Sequence, residues 1–188
     1  MKADMKQTIL RTRRLVLRPW RESDAAALYR YARDPRVGPP AGWLPHTDLE
    51  DSRAVIRNVL SADGIFAVVP KGRVRPVGSV GLTVGTKEGE IPDPSSGEIG
   101  YWIGVPYWGH GLVPEAVRAL LRLAFEDLRL TAVWCGYYDG NDKSRRVQEK
   151  CGFRYHHTEE NRYCPLLGET RTEHFSRITR EEWFRTAG

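Results

Sequence analysis

Residues 108–115, W-G-H-G-L-V-P-E, set two glycines either side of His110 immediately before a helical pattern. That arrangement is chemistry for anions. The first four N–H groups of a helix have no partner within it. Glycines remove the side chains that would hold a ligand off those amides. The helix dipole adds a positive field at the same end, so a pyrophosphate is favoured there. Pro114 falls in the first turn, where a missing N–H costs little, and Glu115 lies beside it. The same residues would also make a plain tight turn. Two other phosphate-binding patterns are excluded. G-x-G-x-x-G would need glycine at 114, where Pro114 stands, and G-x-x-x-x-G-K-[ST] is absent.

The elements that must present this turn can be read on both sides of it. Residues 99–105 alternate Ile, Tyr, Ile and Val with Gly and Trp, a strand that Glu98 begins and Pro106 ends. Val113, Val117, Leu120, Ala124 and Leu128 recur at spacings of three and four, which predicts a helix with one apolar face. Upstream, 8–18 reads as a first strand closed by Pro19, and 25–33 as a helix stopped by Asp34-Pro35. Thr47 or Asp48 caps a second helix that runs to about Leu60. Residues 64–69 and 74–84 read as two strands around a Lys71-Gly72 turn, with Gly78 and Gly81 marking bulges or a close approach. A polar, mobile loop is expected over 86–97. Downstream come a strand at 131–138, a helix at 142–150 ended by Gly152, an antiparallel pair at 153–158 and 170–178, and a short helix at 181–184. The order β-α-α-β-β-β-α-β-α-β-β predicts a mixed sheet with helices on both faces.

Composition narrows the function classes. A chain of 188 residues, 40% hydrophobic and 28% charged, reads as one globular domain over 1–188. No apolar run is long enough to cross a membrane. The opening M-K-A-D-M-K-Q lacks a signal-peptide core, so a cytoplasmic location is expected. Cys135, Cys151 and Cys164 are odd in number and without a C-x-x-C, which argues against a disulfide framework or a metal site. The net charge of +5 comes from scattered arginines. It suits a polyphosphate or an acidic protein partner better than nucleic acid.

Residues 108–113 resemble the acetyl-coenzyme A motif of the GNAT superfamily, [QR]-x-x-G-x-[GA], with Trp108 and Val113 departing from it. The longer run Tyr107–Ala116 is similar to the Y-W-G-x-G-Y-A-T-E-A of a branch containing ribosomal-protein N-terminal acetyltransferases of the Rim type. Thr12 to Asp24 (T-x-R-L-x-L-R-P-x-x-x-x-D) and Asn141 to Phe153 (N-x-x-S-x-x-V-x-E-K-x-G-F) extend the resemblance over nearly the whole chain.

The resemblance implies an α/β fold with a mixed, mostly antiparallel sheet whose central strands splay apart. It implies acetyl-coenzyme A as co-substrate and direct transfer to a primary amine, with a protein N-terminal α-amine as one acceptor. Polyamines, amino acids and antibiotic amines remain alternatives, as does a non-catalytic coenzyme A sensor. Carried onto this chain, the backbone of Ile103, Gly104 and Val105 would pair with the pantetheine arm, and Val105 N–H would polarise the thioester oxygen. The amides of Trp108, Gly109, His110, Gly111, Leu112 and Val113 would face the pyrophosphate. Asn141 would touch the pantetheine, with Lys143, Arg145 and Arg146 near an adenosine phosphate. Ser144 is the candidate acid, because Gln148 stands where many relatives carry a tyrosine. Glu98 is the candidate base, with Glu159 and His157 as alternatives, and Cys135 reads as a core residue. No metal is implied, and the assembly is a monomer or a homodimer.

Overall fold

A computed structural model describes residues 5–85 and 95–186. The stretch 8–18 forms two short strands rather than one: β1 (Leu10–Arg11) and β2 (Leu15–Pro19). Thr12 makes the break. Its N–H donates to the Leu15 carbonyl at 3.0 Å, and its Oγ1 accepts the Leu15 N–H at 2.9 Å, which closes a tight turn over Arg13-Arg14.

Helices α1 (Ala25–Ala32) and α2 (Leu49–Val55) follow, and α2 continues through wider-wound turns over Ile56–Leu60. Next come β3 (Ile65–Pro70), β4 (Gly78–Val84) and β5 (Gly97–Ile103). β4 begins four residues later than its sequence suggests. Pro76 has no N–H for a ladder, and Val74 is exposed. Of the expected 86–97 loop, 86–94 lie outside the described residues, and Gly97 already belongs to β5. Then follow α3 (Leu112–Arg122, extended by Leu123–Asp127), β6 (Ala132–Tyr138), α4 (Asp142–Lys150), β7 (Arg154–Cys164), β8 (Glu169–Thr179) and α5 (Arg180–Thr186). The β7–β8 hairpin is longer than the expected pair. A register shift between Glu159 and Arg162, with Asn161 in the left-handed region, lets β7 run on to Cys164.

The strands order as β1-β2-β3-β4-β5-β6-β8-β7. Every neighbouring pair is antiparallel except β5 and β6. These two run parallel and pair only at Gly97↔Val133 and Glu98↔Trp134 before they diverge. β3 is buried on both faces and reads as a continuous apolar run, I-F-A-V-V. Ala67 and Val69 face α1 and α2 with Trp20, Leu28, Ala32 and Ile56. Phe66 and Val68 face α3 with Leu17, Leu82, Ile99, Val133 and Ile178. Val117, Leu120 and Ala124 of the α3 stripe are fully buried, as their spacing predicts. Arg18 of β2 is buried too, and it grips Asp24 with both terminal nitrogens at 2.7 and 2.9 Å.

Candidate active site

The divergence of β5 from β6 leaves backbone groups with no strand to meet. Gly104 N–H donates to the Val77 carbonyl at 2.8 Å, and the β4–β5 register pairs Gly78 with Ile103. In an antiparallel ladder the residues alternate in which neighbour they face. Gly100, Trp102 and Gly104 therefore face β4, while Tyr101 and Ile103 turn their N–H and C=O toward β6, which has already left. On β6, Asp139 N–H donates to Thr172 at 2.9 Å. The same alternation turns Trp134, Gly136 and Tyr138 toward the gap. Gly104 is thus committed to β4, contrary to expectation, and the unpaired strand edge runs through Tyr101 and Ile103.

Side chains cap two carbonyls of the gap. The Trp108 indole N–H donates to the Ile103 carbonyl at 2.9 Å. Gln148 Nε2 donates to the Gly136 carbonyl at 3.1 Å. Gln148 is 1% exposed, and its Oε1 has no hydrogen-bond partner. Val105 N–H makes no backbone hydrogen bond among the described residues.

The gap leads into the glycine loop. Gly109 and Gly111 adopt φ of 77° and 70°, which glycine alone holds without strain. Among the described residues, the amides of Gly109, His110, Gly111, Leu112 and Val113 make no backbone hydrogen bond. Trp108 differs from its neighbours, because its N–H donates to Val105 at 3.1 Å. Lys143 Nζ lies 3.9 Å above the Trp108 ring. Behind the loop stands Arg14, which donates to the carbonyls of His110 at 2.9 Å and Gly111 at 3.1 Å. Its Nε pairs with Glu115 at 2.6 Å. Burial alone would raise the Glu115 carboxyl, but hydrogen bonds from Thr12 and Arg14 outweigh it and hold the group below its ordinary value.

Asn141 and Arg145 are occupied elsewhere. Asn141 Oδ1 caps α4 through the Ser144 N–H at 3.2 Å, and its Nδ2 donates to Pro40 at 3.0 Å. Its amide therefore ties the 39–42 loop to the start of α4. Arg145 lies on an exposed helix face, paired with Asp142 and Glu149.

Ser144 Oγ is left free of capping duty and sits 2.9 Å from the Tyr101 hydroxyl. That hydroxyl also donates to the Ser144 carbonyl at 3.0 Å. Burial pushes it well above its usual value, with the neighbouring Cys135 adding to the effect. Cys135 is itself buried, and its thiol is pushed up by burial and then by the charge of Glu98. Glu98 is half-buried at the point where the strands part, on the face opposite Ile99. A second carboxylate, Glu173, lies across Gly136 and pairs with Arg162 at 2.8 Å. His157 and Glu159 stand one strand further out, on β7. His157 stacks on Phe175 and Glu159 is bound by Arg162. Trp102 forms an aromatic wall on the Glu98 face, with Trp20 at 6.3 Å and Trp43 at 5.8 Å between ring centroids.

A mixed sheet parted at its middle, with the parting run into a glycine loop and a helix start, defines the class of the GNAT acetyltransferases. Residues 14–154 match the acetyltransferase (GNAT) domain, and the chain belongs to that family. It is 30% identical over 150 residues to the uncharacterized N-acetyltransferase p20 of Bacillus licheniformis, covering 77% of this chain and 82% of that one. A shorter match, 46% over 56 residues, is to the protein named "Putative ribosomal N-acetyltransferase YdaF" of Bacillus subtilis, and it spans 30% of this chain and 31% of the relative. Among solved structures, the GNAT-family acetyltransferase from Bacillus anthracis superposes with a TM-score of 0.75 at 25% identity, over 93% of this chain and 99% of that one.

Three residues of the site escape a sequence reading. Arg14 lies inside the T-x-R-L motif, where nothing local shows that it reaches a loop almost a hundred residues away. Tyr101 is one aromatic in an aromatic strand, and only period two from Ile99 and Ile103 places it under α4. Glu173 carries no sequence signal, because its place over Gly136 depends on the β6–β8 register.

Proposed function

We propose that the protein transfers an acetyl group from acetyl-coenzyme A directly to a primary amine, and that this amine is the N-terminal α-amine of a protein. One observation carries the transfer reading: the two-residue pairing of β5 with β6, followed by a gap that runs into five amides without backbone partners. Such a slot suits an extended arm that ends in a pyrophosphate. The ladder edge at Tyr101 and Ile103 takes the arm, and the loop with its helix dipole takes the phosphates. Bound there, acetyl-coenzyme A supplies an activated thioester.

The residues of the chain then divide the work. The Val105 N–H stabilises charge that develops on the thioester oxygen. Glu98, on the aromatic face of the gap, takes the proton of the incoming ammonium so that nitrogen can attack. Ser144 hydrogen-bonds the departing sulfur. A serine hydroxyl is a weak acid, so Ser144 gives the sulfur a hydrogen bond and the thiolate takes its proton from solvent on release; Tyr101, at 2.9 Å, holds the serine hydroxyl in place. Tyr101 approaches the start of α4 from the sheet, whereas the tyrosine of many relatives is carried on that helix at the place of Gln148. The protein acceptor rests on the shared 56-residue stretch with the relative whose name specifies ribosomal N-acetylation.

Calorimetric titration with acetyl-coenzyme A, with thiol release followed against N-terminal peptides and a panel of polyamines, amino acids and antibiotic amines, tests both halves. Binding with release on the peptides is the expected result. Release only on the small amines refutes the protein acceptor. Binding without release refutes transfer, and no binding refutes the slot.

A further inference from the structure

We infer that Arg14 is a positioning residue for the anion loop: its guanidinium holds two successive peptide carbonyls from behind and so aims two successive amides at phosphate. The inference rests on the acetyl-coenzyme A reading above and concerns a side chain from the turn between β1 and β2.

The argument begins with peptide planarity. In a trans peptide the C=O and the following N–H point in opposite directions. Arg14 Nη1 fixes the His110 carbonyl and Nη2 fixes the Gly111 carbonyl. The N–H groups of Gly111 and Leu112 must then point away from Arg14, to the far side of the loop. Neither makes a backbone hydrogen bond among the described residues. Successive amides turned to one side form an anion-binding concavity. The glycines permit the turn. The Gly111 carbonyl also accepts the Glu115 N–H at 3.3 Å as the first hydrogen bond of α3, so Arg14 sets the His110–Gly111 peptide and shares the Gly111–Leu112 peptide with the helix.

Charge requires the same residue. Glu115 lies in the first turn of α3, where its carboxylate would repel a phosphate. Both of its oxygens are held on the hairpin side. Oε1 accepts the Thr12 hydroxyl at 2.6 Å and the Arg14 N–H at 2.7 Å, and Oε2 accepts Arg14 Nε at 2.6 Å. Three different nitrogens of one planar fork thus reach Glu115, His110 and Gly111. Lysine, with a single nitrogen, cannot make that set. The Thr12 and Arg14 positions of the opening motif therefore serve the loop, while Arg18 and Asp24 pair with each other.

The test is amide-resolved NMR titration of the wild type, Arg14→Gln and Arg14→Lys with coenzyme A and, separately, with pantetheine, which has no pyrophosphate. Thermal midpoints serve as a check on folding. In the wild type, coenzyme A should move the Gly111 and Leu112 resonances, and pantetheine should move only those near Tyr101 and Ile103. Both variants should bind coenzyme A roughly ten- to a hundred-fold more weakly, the range for losing charge-assisted hydrogen bonds. Their pantetheine affinity should match the wild type. Arg14→Lys keeps the charge beside Glu115, so weakening in that variant separates aim from charge. Coenzyme A affinity within twofold of wild type in Arg14→Lys overturns the inference, because charge alone would then suffice. So does an equal loss for pantetheine, which would mean a general collapse of the site. A wild type that fails to bind coenzyme A at all overturns the acetyl-coenzyme A reading itself, and this inference with it.

Discussion

Asp24→Asn should destabilise the protein by about 3 kcal/mol, far more than any single surface ion pair. The side chains of Arg18 and Asp24 are 10% and 6% exposed. Asp24 accepts two guanidinium hydrogen bonds at 2.7 and 2.9 Å and the Arg21 N–H at 3.0 Å. Removing one partner of a buried pair leaves the other charge without compensation, at roughly 3–5 kcal/mol. Arg18 retains carbonyl contacts to Pro19 at 3.0 Å and Val74 at 3.4 Å, which puts the expected loss at the low end of that range. Glu50→Gln is the internal control. It removes pairs with Arg53 and Arg57, but those side chains are 45–63% exposed, and the loss should stay under about 1 kcal/mol. For a chain of this size, 1 kcal/mol moves the thermal midpoint by roughly 2–4 °C. Asp24→Asn should therefore lower it by roughly 6–12 °C, and Glu50→Gln by less than about 4 °C. Urea unfolding followed by tryptophan fluorescence gives the free energies directly. The double variant Arg18→Met with Asp24→Leu leaves no buried charge and should recover most of the loss. Equal shifts for Asp24→Asn and Glu50→Gln, or a double variant weaker than Asp24→Asn alone, would refute the reasoning.

Tyr101→Phe and Ser144→Ala should each lower turnover and leave coenzyme A affinity unchanged, since the two hydroxyls act at the departing sulfur and not at the phosphates. Steady-state kinetics with calorimetry would show the split, and unchanged turnover in Tyr101→Phe would remove its role. Gly104→Ala should destabilise by roughly 1–3 kcal/mol through overpacking. A methyl there would meet the Tyr31 ring at 2.5 Å, although the backbone, at φ −58°, would accept it. Tyr31→Ala in the same chain should remove most of that penalty, and an additive double variant would count against the clash. His46 is held below its ordinary value by burial, and it contacts Ser52 at 2.8 Å. The unfolded chain takes up this proton near pH 6.5 while the folded chain resists it, so stability should fall as pH drops below that point. In His46→Asn the fall should be shallower, and parallel urea midpoints from pH 7.5 to 5 would contradict the assignment.

The parts of the structure set by local pattern can be read from the sequence. The α3 stripe, the Gly109 and Gly111 loop and the end of α4 at Gly152 each follow from spacing and backbone chemistry within one stretch. The open ladder edge shows where that reading stops. Which residues of β5 face the gap depends on the β4 register, and it falls to Tyr101 and Ile103 while Gly104 is spent on Val77. Asn141 and Ser144 divided their tasks in the same way. Either type can cap a helix, and only the placed loop shows that Asn141 does so and leaves the serine hydroxyl for Tyr101. The break between β1 and β2 was within reach, because a threonine hydroxyl can close a short turn on the backbone, but its bond to Glu115 was not.

The parting of β5 from β6 also gives the sheet two edges where most sheets have none, in its interior. Unpaired strand edges invite pairing with other chains. The five strands β1–β5 and the three strands β6, β8 and β7 behave as two sheets joined by a two-residue seam. Each interior edge has one carbonyl already taken by a side chain: Ile103 by the Trp108 indole and Gly136 by the Gln148 amide. These two donors act as guards, because each fills an acceptor that an invading strand would need. A ligand laid in the slot would complete the sheet as a ninth, non-peptide strand. The ligand-free protein is then the form most open to edge-to-edge association, and its Tyr101 and Ile103 amides should exchange with solvent fastest among the residues of β5.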